Sequence, residues 1–306
     1  MSVEGTSRPK HAVVIVNYGS SGLLLRNHSH TKGTSDRLVI IVDNFSSTDE
    51  QGRVVDLANL FGWFVELMPT NVGFGAGVNA GAARAVREGA QSIVVVNPDA
   101  HLRSSDIDAL VDEVVADHEL MVSPVIRRSD GAVWFDGIDL FLDSGRMASK
   151  RRSRPPSGSR RPWLSGACFA ISAHLWERVG GFDSDYFLYW EDVDLSHRVL
   201  DIGGKLSVLE RASAVHDEGG THPSRPDVHG RSSLYYYFNI RNRLVYAAKH
   251  LDDRRLTSWK WQTARVSYEI VRGGGRRQFL RPWRLVRAYL RGIKDGFSYV
   301  RSARGR

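Results

Sequence analysis

Ala12-Val-Val-Ile-Val16-Asn17-Tyr18 is an apolar, mostly β-branched run that ends abruptly in an amide and a phenol. Unbroken apolarity without alternation reads as a strand covered on both faces. The same form recurs at Leu38–Val42, Trp63–Met68 and Ser92–Val96. Between these runs, Asp49–Phe61 and Gly75–Glu88 carry helical patterns. Ser104–His118 adds a third behind a Ser/Asp start signal. Strands alternating with helices predict an α/β fold around a mostly parallel, doubly wound sheet. Ligands of such sheets collect beyond the carboxyl ends of the strands.

Those ends are unusual. The runs finish in Asn17-Tyr18, in Asp43-Asn44, in a segment leading to Asn71, and in Asn97-Pro98-Asp99. Each polar pair alone is ordinary turn chemistry. Four together on one edge predict a binding edge.

The 306 residues are 42% hydrophobic and 25% charged, enough for a full core and unlike a disordered chain. The single cysteine, Cys168, lies in the apolar run Ala167–Ile171 and reads as a small buried side chain. One cysteine makes no internal disulfide, which suits a reducing compartment. Met1–Lys10 is polar and predicted disordered, without the apolar core of a signal peptide. No run of about 18 apolar residues occurs. The expectation is a cytoplasmic protein, at most peripheral on the inner face of the cell membrane. Charge is uneven: from Arg241 onward 18 Lys and Arg face 4 Asp and Glu, whereas the first 240 residues carry 24 against 30. An acidic body with a basic tail points to separate partners.

Beyond Asp130 the pattern loosens. Lys150–Pro162 reads as a basic surface loop, Trp163–Ile171 as a strand and Ala173–Val179 as a helix. A helix from Glu191 to about Ile202 and a short strand at Leu206–Leu209 follow. His216–His229 reads as a polar loop, and the chain from Gly230 onward as helical. The predicted division is therefore 11–229 for the catalytic unit and 230–306 for a basic helical region.

Three segments carry chemistry. In Asn71-Val-Gly73-Phe-Gly75-Ala-Gly77-Val-Asn79-Ala-Gly81, residues 75–80 match the dinucleotide pattern G-x-G-x-x-A. That pattern belongs after the first strand, and here it follows the third. Two readings stay open: glycines that bring a diphosphate to a helix N-terminus, or glycines that pack a helix closely on the sheet. Asn97-Pro98-Asp99 places a carboxylate at a strand end, a position suited to Mg2+ or Mn2+. Finally, Gly180-Gly-Phe-Asp-Ser-Asp-Tyr186-Phe-Leu-Tyr189-Trp190-Glu191-Asp192-Val-Asp194 sets acids beside an aromatic wall, which suits a sugar site with a proton acceptor.

Taken together, Val-Asp43-Asn44-Phe-Ser-Ser-Thr-Asp49, Asn71-Val-Gly-Phe-Gly, Asn97-Pro-Asp99, Gly166-Ala-Cys and Gly181-Phe-Asp…Trp-Glu191-Asp192-Val-Asp-Leu resemble family 2 glycosyltransferases, in particular bacterial rhamnosyltransferase-like members. The resemblance spans roughly Ala12 to His250. It implies a GT-A fold and transfer, with inversion, from a nucleotide-diphosphate sugar to a saccharide or lipid-linked acceptor. By the same resemblance Asp43 reads the base, with Val16, Asn17 and Tyr18 beside it. Asn71, Phe74, Gly75, Asn79, Asn97 and Gly166 line the donor site. Asp99 matches the last acid of a D-x-D motif whose first acid is here Asn97, and it binds the metal, with His216 as a further ligand. Asp192 matches the general base, with Glu191 its neighbour. Tyr189, Trp190 and Arg241 are acceptor candidates, although Arg241-Asn242 also suits a role in positioning the first tail helix. His222 and His229 are not expected to be ligands.

In the tail, Phe279, Trp283, Val286, Leu290, Ile293, Phe297 and Val300 recur at spacings of three and four, flanked by Arg284, Arg287, Arg291, Lys294 and Arg301. This amphipathic pattern fits an anionic membrane surface, or packing on the main domain or a second subunit. Two rivals compete. A nucleic-acid-binding protein would use the basic tail, but the acidic body opposes it. A sugar nucleotidyltransferase would need an early cation in its glycine loop, and Asn17-Tyr-Gly-Ser-Ser-Gly22 has none. No nucleic-acid partner is expected.

Overall fold

A computed structural model describes residues 10–149, 158–216, 232–272 and 282–305. The first half alternates as expected: β1 (His11–Asn17), α1 (Ser21–His28), β2 (Arg37–Asp43), α2 (Thr48–Phe61), β3 (Phe64–Leu67), α3 (Phe74–Arg87) and β4 (Ser92–Val96). There follow β5 (Ala100–Leu102), α4 (Ser104–Ala116), β6 (Leu120–Arg127), β7 (Val133–Phe135), β8 (Ile138–Phe141), β9 (Arg146–Ser149), β10 (Arg160–Trp163), β11 (Cys168–Ser172), α5 (Ala173–Val179), α6 (Glu191–Asp201) and β12 (Lys205–His216). Helices α7 (Ser233–His250), α8 (Asp253–Arg272) and α9 (Pro282–Arg304) complete the chain.

The large sheet runs β3-β2-β1-β4-β11-β6-β12-β5, with β7 paired to β6. Strands β3, β2, β1 and β4 are mutually parallel, and every residue of β1 and β2 is buried. Double-sided burial is why these runs are apolar without alternation. Strand β11 then enters antiparallel to both β4 and β6, so the sheet is mixed beyond its parallel half.

Register positions the polar ends. Asn17 lies opposite Asp43 across β1 and β2, and His216 lies opposite Ala100 across β12 and β5. The second pairing brings His216 beside the Asn97-Pro98-Asp99 turn.

Four expectations change. The strand anticipated over Trp163–Ile171 is broken at 164–167. Its first part, β10, pairs with β8 in a separate three-stranded sheet, and its second part, β11, sits in the main sheet. The loop expected to reach Pro162 therefore gives way to strand at Arg160, while its residues 150–157 lie outside the described residues. Strand β12 extends over 12 residues, through a register shift between Leu209 and Ser213, and ends at His216. Two adjacent charged residues, Glu210 and Arg211, at the register shift hid that extension. His222, His229 and Phe279 lie outside the described residues.

The fourth change concerns α9. Its packed face runs through Leu285, Ala288, Gly292 and Gly296, not through Trp283, Val286 and Leu290, which stay exposed. A Cβ on Gly292 would lie 2.9 Å from the Tyr237 carbonyl oxygen, and one on Gly296 2.7 Å from Leu244 Cδ1. Helix α9 thus lies so close to α7 that glycine forms its seam, and a glycine seam is invisible to an apolar-stripe reading.

Helices α7–α9 share a core with the rest of the chain. Trp190, Val193, Tyr186, Leu140 and Leu142 pack with Leu244, Tyr246 and Trp259. Trp259 Nε1 donates to the Leu142 carbonyl at 2.7 Å, and Tyr299 Oη to Asp185 at 2.6 Å. No helix among the described residues is long and apolar enough to cross a membrane.

Candidate active site

At the β1–β2 end, Asn17 Nδ2 donates to Asp43 Oδ1 at 2.9 Å and to Glu50 Oε1 at 3.2 Å. Asn17 Oδ1 accepts from Ser20 Oγ at 2.8 Å, and Glu50 accepts from the Ser21 amide at 2.6 Å. Asp43 is fully buried, its Oδ2 has no hydrogen-bond partner, and burial raises its pKa. A buried carboxylate oxygen left unpaired is costly unless a ligand donor satisfies it. Tyr18 stands exposed beside this group. Glu50, hidden in the sequence as an ordinary first-turn acid of α2, is part of it.

The next loop is stitched by amides. Asn44 Nδ2 donates to Asn71 Oδ1 at 3.1 Å and to the Gly73 carbonyl at 3.0 Å, and Asn44 Oδ1 accepts from the Val72 amide at 2.9 Å. The glycines that follow serve close packing. A Cβ would meet Phe187 O at 2.4 Å from Gly73, Phe182 Cβ at 2.8 Å from Gly75, Val16 Cγ1 at 2.9 Å from Gly77 and Val14 Cγ1 at 2.4 Å from Gly81. Of the two readings of this motif, tight apposition of α3 to β1 and to residues 182–187 accounts for every one of them. Asn79 clasps the same segment, donating to Phe182 O and accepting from Phe182 N, each at 2.8 Å.

At the end of β4, the Asn97 amide donates to the Ala167 carbonyl at 2.9 Å. The carbonyls of Asn97 and Pro98 face His28 Nε2 at 3.3 Å and Asn27 Nδ2 at 2.9 Å. The end of α1, which the sequence reading did not mark as a helix, therefore braces this turn. Asp99 is buried, with His216 Nε2 3.2 Å from its Oδ1. The His216 ring lies 4.8 Å from that of Trp134, and its buried Nδ1 has no hydrogen-bond partner; nor has Asn97 Oδ1. Among the described residues, no three His, Cys, Asp or Glu side chains gather as a metal cage. A carboxylate and an imidazole side by side still fit a cation that takes its remaining ligands from substrate phosphates and water, as Mg2+ commonly does.

The acids of α6 complete the edge. Asp192 Oδ2 accepts from the Gly166 amide at 3.0 Å and Oδ1 from the Val193 amide at 2.8 Å. Gly166 sits between Asp192 and Phe74: a Cβ there would lie 3.2 Å from Phe74 Cε1 and 3.4 Å from Asp192 Cβ. Burial pushes the Asp192 carboxyl up to about 6, against which its amide donors act. Burial and the charge of Asp192 raise the Glu191 carboxyl well above the usual carboxylate range, and its Oε2 has no partner. The two carboxyls are coupled, so burial and mutual repulsion make them share protons as a pair. Asp194 is different: although burial opposes it, bonds to His250 and Arg198, both at 2.7 Å, hold its pKa low and make it structural.

The bend into α6 passes through Tyr189 and Trp190, both left-handed at φ 65° and 75°. Buried Asn242 holds it, donating to the carbonyls of Leu188 and Tyr189. Arg241 donates to the Asp185 carbonyl at 2.9 Å and to Asn242 Oδ1 at 2.6 Å. The Arg-Asn pair thus engages the aromatic segment itself. One acceptor candidate is corrected: Trp190 is only 6% exposed and packs against Tyr246 and Trp259, so it presents no wall to a sugar. Tyr189 keeps an accessible edge, with its ring 5.2 Å from that of Tyr235.

The parts meet in one chain of contacts. Asp43 joins Asn17 in the strand pairing, Asn44 holds Asn71 and Gly73, Phe74 borders Gly166, Gly166 holds Asp192, and Ala167 holds Asn97 beside Asp99 and His216.

No model of a known protein family matches the chain. It is 30% identical over 232 residues to an N-acetylglucosaminyl-diphospho-decaprenol L-rhamnosyltransferase of Mycobacterium tuberculosis, covering 65% of this chain and 73% of that one. It is 21% identical over 291 residues to the low-salt glycan biosynthesis hexosyltransferase Agl10 of Haloferax volcanii, covering 87% and 88%. Among solved structures, a mannosyltransferase of Pyrobaculum calidifontis in complex with GDP-Man and Mn2+ superposes with a TM-score of 0.54 at 16% identity, over 98% of this chain and 87% of that one. GalNAc-T7 with UDP, GalNAc and Mn2+ gives a TM-score of 0.56 at 16% identity over 83% of this chain, which spans only 55% of that protein.

Proposed function

The chain belongs to the GT-A glycosyltransferases with rhamnosyltransferase-like relatives, and from that premise we propose an inverting, metal-dependent hexosyl transfer from a nucleotide-diphosphate sugar. The acceptor is a saccharide or lipid-linked saccharide, met at the cytoplasmic face of the membrane during assembly of a cell-surface glycan. Relatives named for a diphospho-decaprenol acceptor and for glycan biosynthesis support that reading. Rhamnose is the sugar suggested by the first of them.

One chain of contacts carries the chemistry: the Gly166 amide aims the Asp192 carboxylate, and the adjoining Ala167 carbonyl holds Asn97, two residues before the Asp99 that pairs with His216. A base that titrates near 6 is ionised at neutral pH yet remains a competent proton acceptor. Asp192 takes the acceptor hydroxyl proton as that oxygen attacks the anomeric carbon from the face opposite the diphosphate. The bond from the anomeric carbon to the diphosphate oxygen breaks, and its electron pair leaves with the nucleoside diphosphate. Burial and the neighbouring Asp192 charge disfavour the ionised form of Glu191, which limits the negative charge set beside the leaving group. Asp99 and His216 would hold a divalent cation, Mg2+ or Mn2+, whose charge offsets that of the diphosphate. Asp43, held by Asn17 which Glu50 holds in turn, would take a donor group of the base.

The test is a screen of nucleotide sugars for nucleoside diphosphate release with Mn2+ or Mg2+, wild type beside Asp192→Asn. Release from one donor that the variant lacks supports the reading. Equal release by both removes Asp192 from the mechanism.

A further inference from the structure

Helix α9 presents two different faces. Leu285, Ala288, Gly292 and Gly296 are pressed against the neighbouring helices. On the opposite side Trp283 is 84% exposed, Leu290 58% and Val286 44%. These three follow one another at spacings of three and four and so form a single stripe. Beside them Arg287, Arg291 and Lys294 line the same shallow groove. Over its length α9 carries six Arg and Lys against one carboxylate, Asp295, which accepts from Tyr237 Oη at 2.8 Å and lies 3.5 Å from Arg291.

We propose that this outward face of α9, from Trp283 to Lys294, docks on an anionic lipid bilayer. A tryptophan and two aliphatic side chains left in water beside a row of cations match the boundary between acyl chains and acidic headgroups. There apolar groups are buried while long basic side chains reach out to phosphate. Charge complementarity decides against a second copy of the chain. A two-fold dimer through this face would set each row of cations against its own image, and like charges repel.

The surface lies where an acceptor held in a membrane would need it. Helix α9 runs in the same direction as α7, with Gly292 over Tyr237 and Ile240, Gly296 over Leu244 and Arg304 reaching the Leu251 carbonyl. Its docking half therefore lies along the first turns of α7, where Tyr235 meets Tyr189 just ahead of Glu191 and Asp192. Use of the surface to present the site to a lipid-linked acceptor rests on the glycosyl-transfer reading; the docking itself does not.

The test is co-sedimentation of the full chain with vesicles of phosphatidylcholine alone and of phosphatidylcholine with phosphatidylglycerol. The wild-type chain sediments only with the anionic vesicles, and added salt releases it. Arg287→Gln with Arg291→Gln weakens partitioning on the order of 30-fold, about fivefold per lost cation. Trp283→Ser with Leu290→Ser also lowers the bound fraction, and both variants release nucleoside diphosphate as the wild type does. Binding of either variant equal to wild type overturns the proposal. So does a concentration-dependent dimer that the Trp283→Ser, Leu290→Ser chain no longer forms. Vesicle binding without any donor turnover leaves the surface standing and sinks the glycosyl-transfer reading instead.

Discussion

Asn242 Nδ2 donates to the Tyr189 carbonyl at 2.8 Å, and the same nitrogen reaches the Leu188 carbonyl at 2.9 Å. Through these bonds a buried side chain of α7 holds the left-handed bend that delivers Glu191 and Asp192. A non-glycine residue in that conformation costs about 1–3 kcal/mol and persists only when its surroundings insist on it. Asn242→Ala strands two carbonyls, so thermal or urea unfolding should show a loss of about 2–4 kcal/mol. The rate should fall by tenfold or more as Asp192 loses its aim, on the order of the penalty for misplaced catalytic groups. Tyr189→Gly, which relieves the strain, should recover part of the lost stability in the double variant. A double variant no better than Asn242→Ala alone would show that the bend does not transmit the effect.

Asp192→Asn keeps the side chain's shape and removes its basicity. Turnover should drop about 10²–10⁴-fold with donor affinity unchanged in calorimetry. The wild-type rate should fall as pH drops through about 6, the point to which burial raises this carboxyl, and the variant should lack that acidic limb.

The same shift predicts a stability effect of opposite sense. A carboxyl whose folded pKa is raised binds its proton more tightly in the native state. It therefore favours folding fully below its unfolded value, and that contribution is lost as pH rises through about 6. The amide loses one acceptor for the Gly166 or Val193 N–H at every pH, so Asp192→Asn should compare more favourably with wild type in urea at pH 7 than near pH 4. A difference from wild type that stays the same at pH 4 and pH 7 would contradict the burial argument.

Asp99→Asn and His216→Ala should each raise the Mn2+ concentration needed for half-maximal nucleoside diphosphate binding, by about tenfold or more. Calorimetric titration with and without Mn2+ reads this directly. Affinity that is equal with and without the cation in wild type would remove the pair from metal binding.

Gly73→Ala tests the packing account of the glycine motif. The residue has φ 89°, and its added Cβ would lie 2.4 Å from the Phe187 carbonyl oxygen. With ψ 169° this backbone lies in a region essentially confined to glycine, which costs another residue about 1–3 kcal/mol, and the collision adds to it. A melt unchanged from wild type would return the motif to the diphosphate reading.

Much of the active edge was legible in the chain because a strand buried on both faces announces itself by unbroken apolarity, and whatever polar residue ends it marks the edge. Asn17, Asp43, Asn97 and Asp99 were found that way. The site's braces were not, because Glu50, Asn27, His28 and Asn242 look like ordinary surface or helix residues until distant segments meet. Trp190 and the first half of the α9 stripe mislead for a related reason, whereas Phe297 and Val300 of that stripe do pack inward. Local periodicity reports which residues share a face, whereas burial depends on what that face touches. Here glycines at 292 and 296 let α9 turn its Leu285 side inward and leave Trp283 in solvent. The sequence by itself determined the parallel half of the sheet and the acids at its rim. Which polar groups are held by distant neighbours emerged only from the tertiary structure, since hydrogen bonds between residues far apart in the chain leave no local pattern.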